Sequence, residues 1–236
     1  MAMTPNTQTL RYSDALWLRC SDEEEWIAQR EHDVTESEAA TLVGAGPIHT
    51  HLELWASKSG LIDPLPRRAS SSIWSARLSY SVAAGVCEDN GWTIVDSGPL
   101  LHVRSSRFVG MSASPDYVVF CPKRGNLGIL NIRTGRPSDY SDLALQFELE
   151  ACGIEWAAVC SPSDDGGMKV TVRERWHEVG IELGYLVTDF MRRVRDRDMP
   201  EPFSVPSSPL IGVYFTSSDL PVARAHRAAH ALECAA

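Results

Sequence analysis

The feature that most constrains the fold of this 236-residue chain is a change in the spacing of its apolar residues near Trp92. Before this point apolar side chains recur at helical spacing. From residue 92 to residue 133 they alternate with polar residues in short runs, which is typical of β-strands. A helical spacing then returns. This order predicts an α/β (α+β) protein with a central mixed β-sheet flanked by helices.

Helix caps and turn residues divide the chain further. Residues 21–43 predict two helices, and Thr35 with Glu38 three residues later caps the second. The other predicted helices span 50–59, 73–88, 139–152 and 175–197. The predicted strands span 92–96, 100–104, 108–111, 117–121, 127–133, 156–160 and 169–173. We expect an N-terminal lead (1–24), one domain (25–203) and a C-terminal extension (204–236).

Composition excludes several classes of protein. No run of residues is apolar enough for a transmembrane helix, so no membrane partner is expected. A net charge of −9 disfavours a protein that coats nucleic acid without specificity. The six cysteines include no CxxC pair, which predicts reduced thiols and a cytoplasmic location.

Candidate chemistry concentrates in residues 112–134. Strand alternation places Asn131 and Arg133 on one face, about 7 Å apart, and a hairpin would bring Asp116 close to both. In nucleases with such a layout, two acids hold Mg²⁺ through their oxygens and a lysine positions or activates the attacking water. Two structural alternatives stay open. Asp116 follows a proline and suits a turn, and an Asp116–Arg133 pair or a bond to Asn131 would satisfy buried polar groups.

Six short motifs occur in order along the chain. They are Arg30 with VTESEAATLVG (34–44), HLELWASKSG (51–60), IWSARLSY (73–80), GMSASPD (110–116), LNIRT (130–134), and Tyr140 with Gln146 followed by GIEWA (153–157). Together they resemble motifs of the YqaJ-type viral recombinases, the lambda-exonuclease-like branch of the PD-(D/E)xK nucleases. The resemblance implies a restriction-endonuclease-like core over residues 25–203.

The resemblance also implies which residues form the site. The family's helix glutamate falls on Ser79, its second-strand glutamate on Asn131 and its lysine on Arg133, while Asp116 keeps the family aspartate. Gln146 matches a residue that lies near the active site in the family.

Two further positions match family residues that lie near the DNA phosphates. They are Arg30 and Ser37, and Arg133 could join them because a guanidinium clamps phosphate well.

These replacements predict an impaired site. Neutral Ser79 and Asn131 attract Mg²⁺ weakly, which leaves Asp116 as a weak metal ligand. Arg133 cannot deprotonate and so cannot act as a base. An acid from elsewhere could fill the gap. Glu148 and Glu150 on the following helix could approach, whereas Glu88 and Asp89 lie more than two helical turns from Ser79.

The leading hypothesis is a phage- or prophage-type recombination protein, a pseudonuclease that binds double-stranded DNA ends or a partner protein. One alternative is an active, divergent 5′→3′ exonuclease that requires Mg²⁺ or Mn²⁺. Another is an acidic inhibitor that binds a host DNA-processing enzyme. The resemblance further implies a homotrimer and a single-strand annealing protein as partner.

Overall fold

The computed structural model describes residues 7–43, 50–63, 73–97, 100–133, 142–163 and 166–200, with side chains of the fourth helix from Leu78 onward. Its helices are α1 (Glu23–Glu31), α2 (Ala39–Leu42), α3 (His51–Lys58), α4 (Ile73–Asn90), α5 (Asp142–Cys152) and α6 (His177–Asp196). Its strands are β1 (Gln8–Leu10), β2 (Leu16–Arg19), β3 (Val34–Thr35), β4 (Thr93–Ser97), β5 (Leu101–Arg104), β6 (Met111–Ala113), β7 (Tyr117–Cys121), β8 (Asn126–Ile132), β9 (Trp156–Pro162) and β10 (Met168–Glu174).

The strands form two mixed sheets, which confirms the predicted fold class. Their orders are β1-β2-β5-β6-β3 and β10-β9-β8-β7-β4. Each sheet has one parallel pair, β3 with β6 and β8 with β9. The strands are divided between two sheets rather than joined in a single central one. Pro115 lies between β6 and β7, and a proline lacks the N–H that a continuous ladder would need. Among the described residues no helix is long and apolar enough to span a bilayer.

The N-terminal residues, predicted as a polar lead, belong to the first sheet. β1 pairs with β2, and β2 pairs antiparallel with β5. Trp17 on β2 is fully buried, and its indole N–H donates to the hydroxyl of Ser13 over 2.9 Å. β1 and β2 are therefore part of the folded domain, and Trp17 and Leu18 belong to its buried residues.

The region predicted as two helices over 21–43 contains a strand. The chain leaves α1 after Glu31, forms β3, and makes a 3₁₀ turn at Glu36–Glu38 before α2. Val34 and Thr35 are β-branched and pair with β6, which favours extended backbone over helix. The predicted cap is present, because the Thr35 N–H donates to the Glu38 carboxylate over 2.9 Å.

The strand predicted over 108–111 was also wrong. The hydroxyl of Ser105 accepts the N–H groups of Arg107 and Phe108 over 3.2 and 3.1 Å, which folds this segment into a turn. Gly110 then adopts a positive φ of 81°, a conformation that favours glycine. The strand begins at Met111.

The β7–β8 hairpin carries the candidate site, and its neighbour Trp156 fixes its register. A Cβ atom at Gly128 would lie 2.2 Å from the Trp156 ring, so only glycine fits beneath it. The Trp156 indole N–H also donates to the Asn126 side chain over 2.9 Å. Tyr117 pairs with Leu130, so Asp116 and Asn131 lie opposite each other at the next position of the hairpin.

Candidate functional site

The hairpin brings Asp116, Asn131 and Arg133 together, and we call these residues with Glu148 the Asp116 site. The backbone N–H of Asp116 donates to the Asn131 side-chain oxygen over 3.3 Å. The backbone N–H of Ile132 donates to Oδ2 of Asp116 over 2.9 Å. Two neighbouring residues of β8 thus hold Asp116, one through its backbone N–H and one through its carboxylate.

Arg133 is the cation nearest to Asp116 in this hairpin. Its Nη1 atom lies 4.0 Å from Oδ2 of Asp116, and the two side chains are 30% and 34% exposed. Such a separation allows only a weak ion pair. A ligand in solution can therefore reach Arg133 and compete for its guanidinium group.

The surroundings of Asp116 disfavour its charged form. Burial raises the pKa of its carboxyl above the ordinary value, and the negative charge of Glu36 adds to the rise. The Arg133 charge and the Ile132 N–H act in the opposite direction but do not cancel the effect of burial.

Glu148 on α5 completes the site. The amide nitrogen of Asn131 donates to Oε2 of Glu148 over 2.5 Å, and each of these residues is 1% exposed. Glu150, the other acid that the sequence offered, binds Arg175 over 2.8 Å instead. Residues two apart on a helix do not face the same way, so only one of the two acids can point at Asn131.

Sequence reasoning named Glu148 only as one of two acids that could approach. A stronger signal was available, because Glu148 lies in a helix that is otherwise mostly apolar. A carboxylate buried in such a helix requires a polar partner. The identity of that partner follows from tertiary packing alone.

Ser79 lies beside the Asp116 site rather than in it. Its hydroxyl is 2.9 Å from the hydroxyl of Tyr117, the residue that follows Asp116. Burial raises the pKa of Tyr117, and the charge of Asp116 raises it further. α4 therefore contacts the hairpin through a hydroxyl pair at the position where the resemblance places an acid.

The structure does not bring Gln146 to the site. Its amide nitrogen donates to the Glu174 carbonyl over 3.0 Å, and its oxygen accepts the N–H of Trp176 over 2.7 Å. Trp176 is the N-cap residue of α6, so Gln146 joins the end of β10 to the start of that helix. Since Glu148 faces Asn131, Gln146 two residues earlier faces elsewhere.

Arg30 and Ser37 lie in a second region, residues 30–38, which we call the Arg30 turn. Nη2 of Arg30 lies 3.5 Å from both the Glu36 carboxylate and the Ser37 hydroxyl. The guanidinium also stacks over the Trp26 ring at 4.5 Å, and Arg30 is only 7% exposed. Sequence reasoning missed Glu36, whose carboxylate limits the charge that Arg30 can offer an anion.

The two regions are neighbours because of the parallel β3–β6 pair. Thr35 pairs with Ser112, and the carboxyl ends of parallel strands meet at one sheet edge. Glu36 therefore follows β3 at the edge where β6 leads to Asp116. The effect of Glu36 on the pKa of Asp116 reflects this proximity.

The donor atoms present do not fit a Mg²⁺ or Mn²⁺ centre in this arrangement. Within the described residues, no three His, Cys, Asp or Glu side chains are grouped so as to hold a metal ion. The Asn131 oxygen already accepts the Asp116 N–H, and its nitrogen faces Glu148. Hard cations need several free oxygen ligands. The exposed group best placed for chemistry is Arg133, which can bind an anion.

No family model matches the sequence, and no curated protein is similar to it. Solved structures do resemble the chain. LHK-Exo in complex with dAMP is 20% identical with a TM-score of 0.58, covering 74% of this chain and 93% of that one. The alkaline exonuclease LHK-Exo from Laribacter hongkongensis is 19% identical with a TM-score of 0.56 and the same coverage. The chain shares the fold of this exonuclease. The likeness agrees with the predicted mixed α/β architecture, and at such low identity it establishes the fold alone.

Proposed function

We propose that the chain is a DNA-end-binding protein with an exonuclease fold and impaired metal-dependent cleavage, acting in the cytoplasm in phage-type DNA recombination. The observation that carries the proposal is the position of Asn131. Its oxygen accepts the Asp116 N–H and its nitrogen donates to Glu148. The Asn131 oxygen is therefore not available to a metal ion, and its nitrogen keeps the buried Glu148 carboxylate engaged in a hydrogen bond.

The replacement of a lysine by Arg133 supports the same proposal. A guanidinium keeps its proton at all ordinary pH values and so cannot activate water as a base. It does present a planar set of donors that matches phosphate. Arg133 is 30% exposed beside Asp116, where it can contact DNA without cutting it.

The contact with DNA must be local, because the whole chain is acidic. A net charge of −9 repels a polyanion over most of the surface. At this sheet edge the cation that can contact phosphate is Arg133, which is 30% exposed beside Asp116. Binding at this edge would favour a DNA end over a long stretch of duplex.

A second candidate function is an active, divergent exonuclease that uses Mg²⁺ or Mn²⁺. The observation that favours it is Glu148, a buried carboxylate 2.5 Å from the Asn131 amide. For this candidate, the Asn131 side chain would rotate away and Glu148 would act with Asp116 on the metal ion. In this case Glu148 would take the role of the acid that the sequence lacks at position 131.

One gel experiment separates these functions. End-labelled linear duplex is incubated with the wild type and with Asp116→Ala, Glu148→Gln and Arg133→Ala, in Mg²⁺ and separately in Mn²⁺. Arg195→Ala serves as a matched control, because Arg195 is 74% exposed on α6. Circular duplex tests whether an end is required.

We expect a mobility shift of linear duplex that weakens in Arg133→Ala, with no shortening of the label. Shortening that disappears in both Asp116→Ala and Glu148→Gln would overturn the pseudonuclease proposal and establish the second candidate. Absence of both shift and shortening would favour the acidic inhibitor of a host enzyme. Sedimentation of the wild type, alone and with a single-strand annealing protein, tests the homotrimer and that partner.

A further inference from the structure

Lys58 at the end of α3 has an unusual environment for a lysine. It is one of three lysines in the chain, and its side chain is only 5% exposed. Its ammonium donates to the carbonyls of Asp33 and Arg30 over 2.6 and 3.4 Å. It also pairs with the Glu38 carboxylate at 2.9 Å. An ammonium has three N–H donors, and these three acceptors match that number.

The acceptors of Lys58 all belong to the Arg30 turn. Arg30 is in the last turn of α1, Asp33 precedes β3, and Glu38 ends the 3₁₀ turn. One ammonium thus joins the start, the middle and the end of this segment. Two of its three contacts are to backbone carbonyls, so Lys58 fixes the path of the chain there rather than only balancing a charge.

The packing of α3 delivers Lys58 to this place. Leu54 and Trp55 are buried in the core, and Lys58 lies four and three residues later on the same helix face. Thr50 and Glu53 form a capping box that defines where α3 begins. The ammonium therefore extends from a rigid helix whose apolar face is already anchored.

The Arg30 turn is held from its other side by β5. The Asp33 carboxylate accepts from Nε of Arg104 over 2.6 Å and lies 3.2 Å from Nε2 of His102. By contrast, Nη2 of Arg30 is 3.5 Å from Glu36 and from Ser37. These two contacts are long, so the guanidinium is positioned by its stacking on the Trp26 ring and by the backbone of the turn that carries it.

We infer that Lys58 is a positioning residue for DNA binding: it holds the backbone of the Arg30 turn so that Arg30 and Ser37 face the edge that carries Asp116. The inference rests on the proposed function, because DNA binding is the activity that this position serves. Lys58 touches no ligand itself and acts through Arg30.

The test compares the affinity for linear duplex among wild type, Lys58→Met, Arg30→Gln and the double variant. Lys169→Met is the matched control, since it removes the same charge from an exposed position on β10. Lys58→Arg is a second variant that keeps the cation for Glu38, although a planar guanidinium cannot reproduce an ammonium that reaches two carbonyls. Hydrogen exchange of peptides covering residues 31–38 reports the order of the turn without DNA.

We expect Lys58→Met to weaken DNA binding about tenfold and Lys58→Arg by a smaller factor, with faster exchange in residues 31–38. In the Arg30→Gln background Lys58→Met should weaken binding no further, because both changes act on one contact. Additive losses would overturn the inference in favour of a general structural role. If Lys58→Met does not fold, wild-type affinity and exchange in Lys58→Arg would overturn it.

Failure of the proposed function gives a different result. If the wild type binds no linear duplex, or binds circular duplex equally well, the proposal of end binding falls. The positioning role is then decided by exchange alone. Unchanged protection of residues 31–38 in both Lys58 variants would overturn that role as well.

Discussion

The Arg30 turn and the Asp116 site lie side by side but are held together by different means. In the turn, a buried lysine and a buried aspartate each make several short contacts with neighbouring elements. In the Asp116 site, the Asn131 amide accepts from the Asp116 N–H and donates to Glu148, and the Asp116–Arg133 ion pair spans 4.0 Å. The comparison indicates that the turn is fixed by contacts with neighbouring elements, whereas the partly exposed Asp116 and Arg133 can change with little effect on the stability of the fold.

The largest expected effect is the removal of Asp33. Asp33→Ala leaves Arg104 and the buried His102 without their carboxylate, and we expect a loss of about 3 kcal/mol in the free energy of unfolding. Asp116→Ala is the matched change in the other region, where 34% exposure limits the loss to less than about 1 kcal/mol. Urea unfolding measures both, and equal losses would contradict the comparison.

A second substitution tests whether the Asn131 amide prevents metal binding at the Asp116 site. Asn131→Asp replaces the donor to Glu148 by a like charge, and without metal we expect a loss of about 2 kcal/mol. Mn²⁺ should then raise the melting temperature of this variant, because two carboxylates face each other, but not that of the wild type. Asn126→Asp on the same strand is the control, since its side-chain oxygen can still accept the Trp156 N–H. Equal stabilisation of wild type and variant by Mn²⁺ would show that the native site already holds the ion.

The two regions should respond to pH in opposite directions. Burial lowers the pKa of His102, and the Arg104 and Arg30 charges lower it further, against the opposing effect of Asp33. A histidine whose pKa is lowered by folding stabilises the protein above its unfolded pKa of about 6.5, and this stability is lost as the pH falls. We expect unfolding free energy to decrease from pH 7 to pH 5, by at most about 1.4 kcal/mol per pH unit for this group. His102→Gln should flatten the profile in that window, and an unchanged slope would exclude His102 as the cause.

The smallest expected effect belongs to Asp116. Its pKa is raised by burial, so its charged form destabilises the native state at neutral pH. Asp116→Asn should therefore increase the unfolding free energy at pH 8, by less than about 1 kcal/mol because the side chain is partly exposed. The gain should shrink as the pH falls towards the ordinary carboxyl pKa, because the folded wild-type carboxyl takes up its proton above that value. A destabilised variant at pH 8 would mean that the Arg133 pair outweighs the effect of burial.

Local sequence signals predicted most of the fold. The Thr35 cap, the alternation over 117–121 and 127–133, and the long helix predicted over 175–197 each depend on neighbours in the chain, and the structure confirms these elements. The errors came where tertiary contacts override local preference. Val34 and Thr35, predicted as helical, pair with β6 instead. The segment predicted as a strand over 108–111 begins with a turn that the Ser105 hydroxyl holds.

The candidate site was less accessible to sequence reasoning. The hairpin predicted that Asp116 and Asn131 would lie together, because their separation is set by strand pairing. Glu148 could not be chosen over Glu150 without the rotation of α5, and the same rotation decides that Gln146 bonds to Glu174 and Trp176. Lys58 lay within a motif that gave no indication of its acceptors, since these come from a different part of the chain.

The Trp156 ring over Gly128 has a consequence for how this site can evolve. Because no side chain fits at position 128, β8 cannot slip against its neighbours, and positions 131 and 133 keep their places whatever residues they carry. Substitutions there alter chemistry without altering alignment. Substitutions at positions 131 and 133 could therefore abolish cleavage in an exonuclease of this fold without disturbing its strands. Restoring acidic or lysine residues there would place them in a hairpin whose geometry is unchanged.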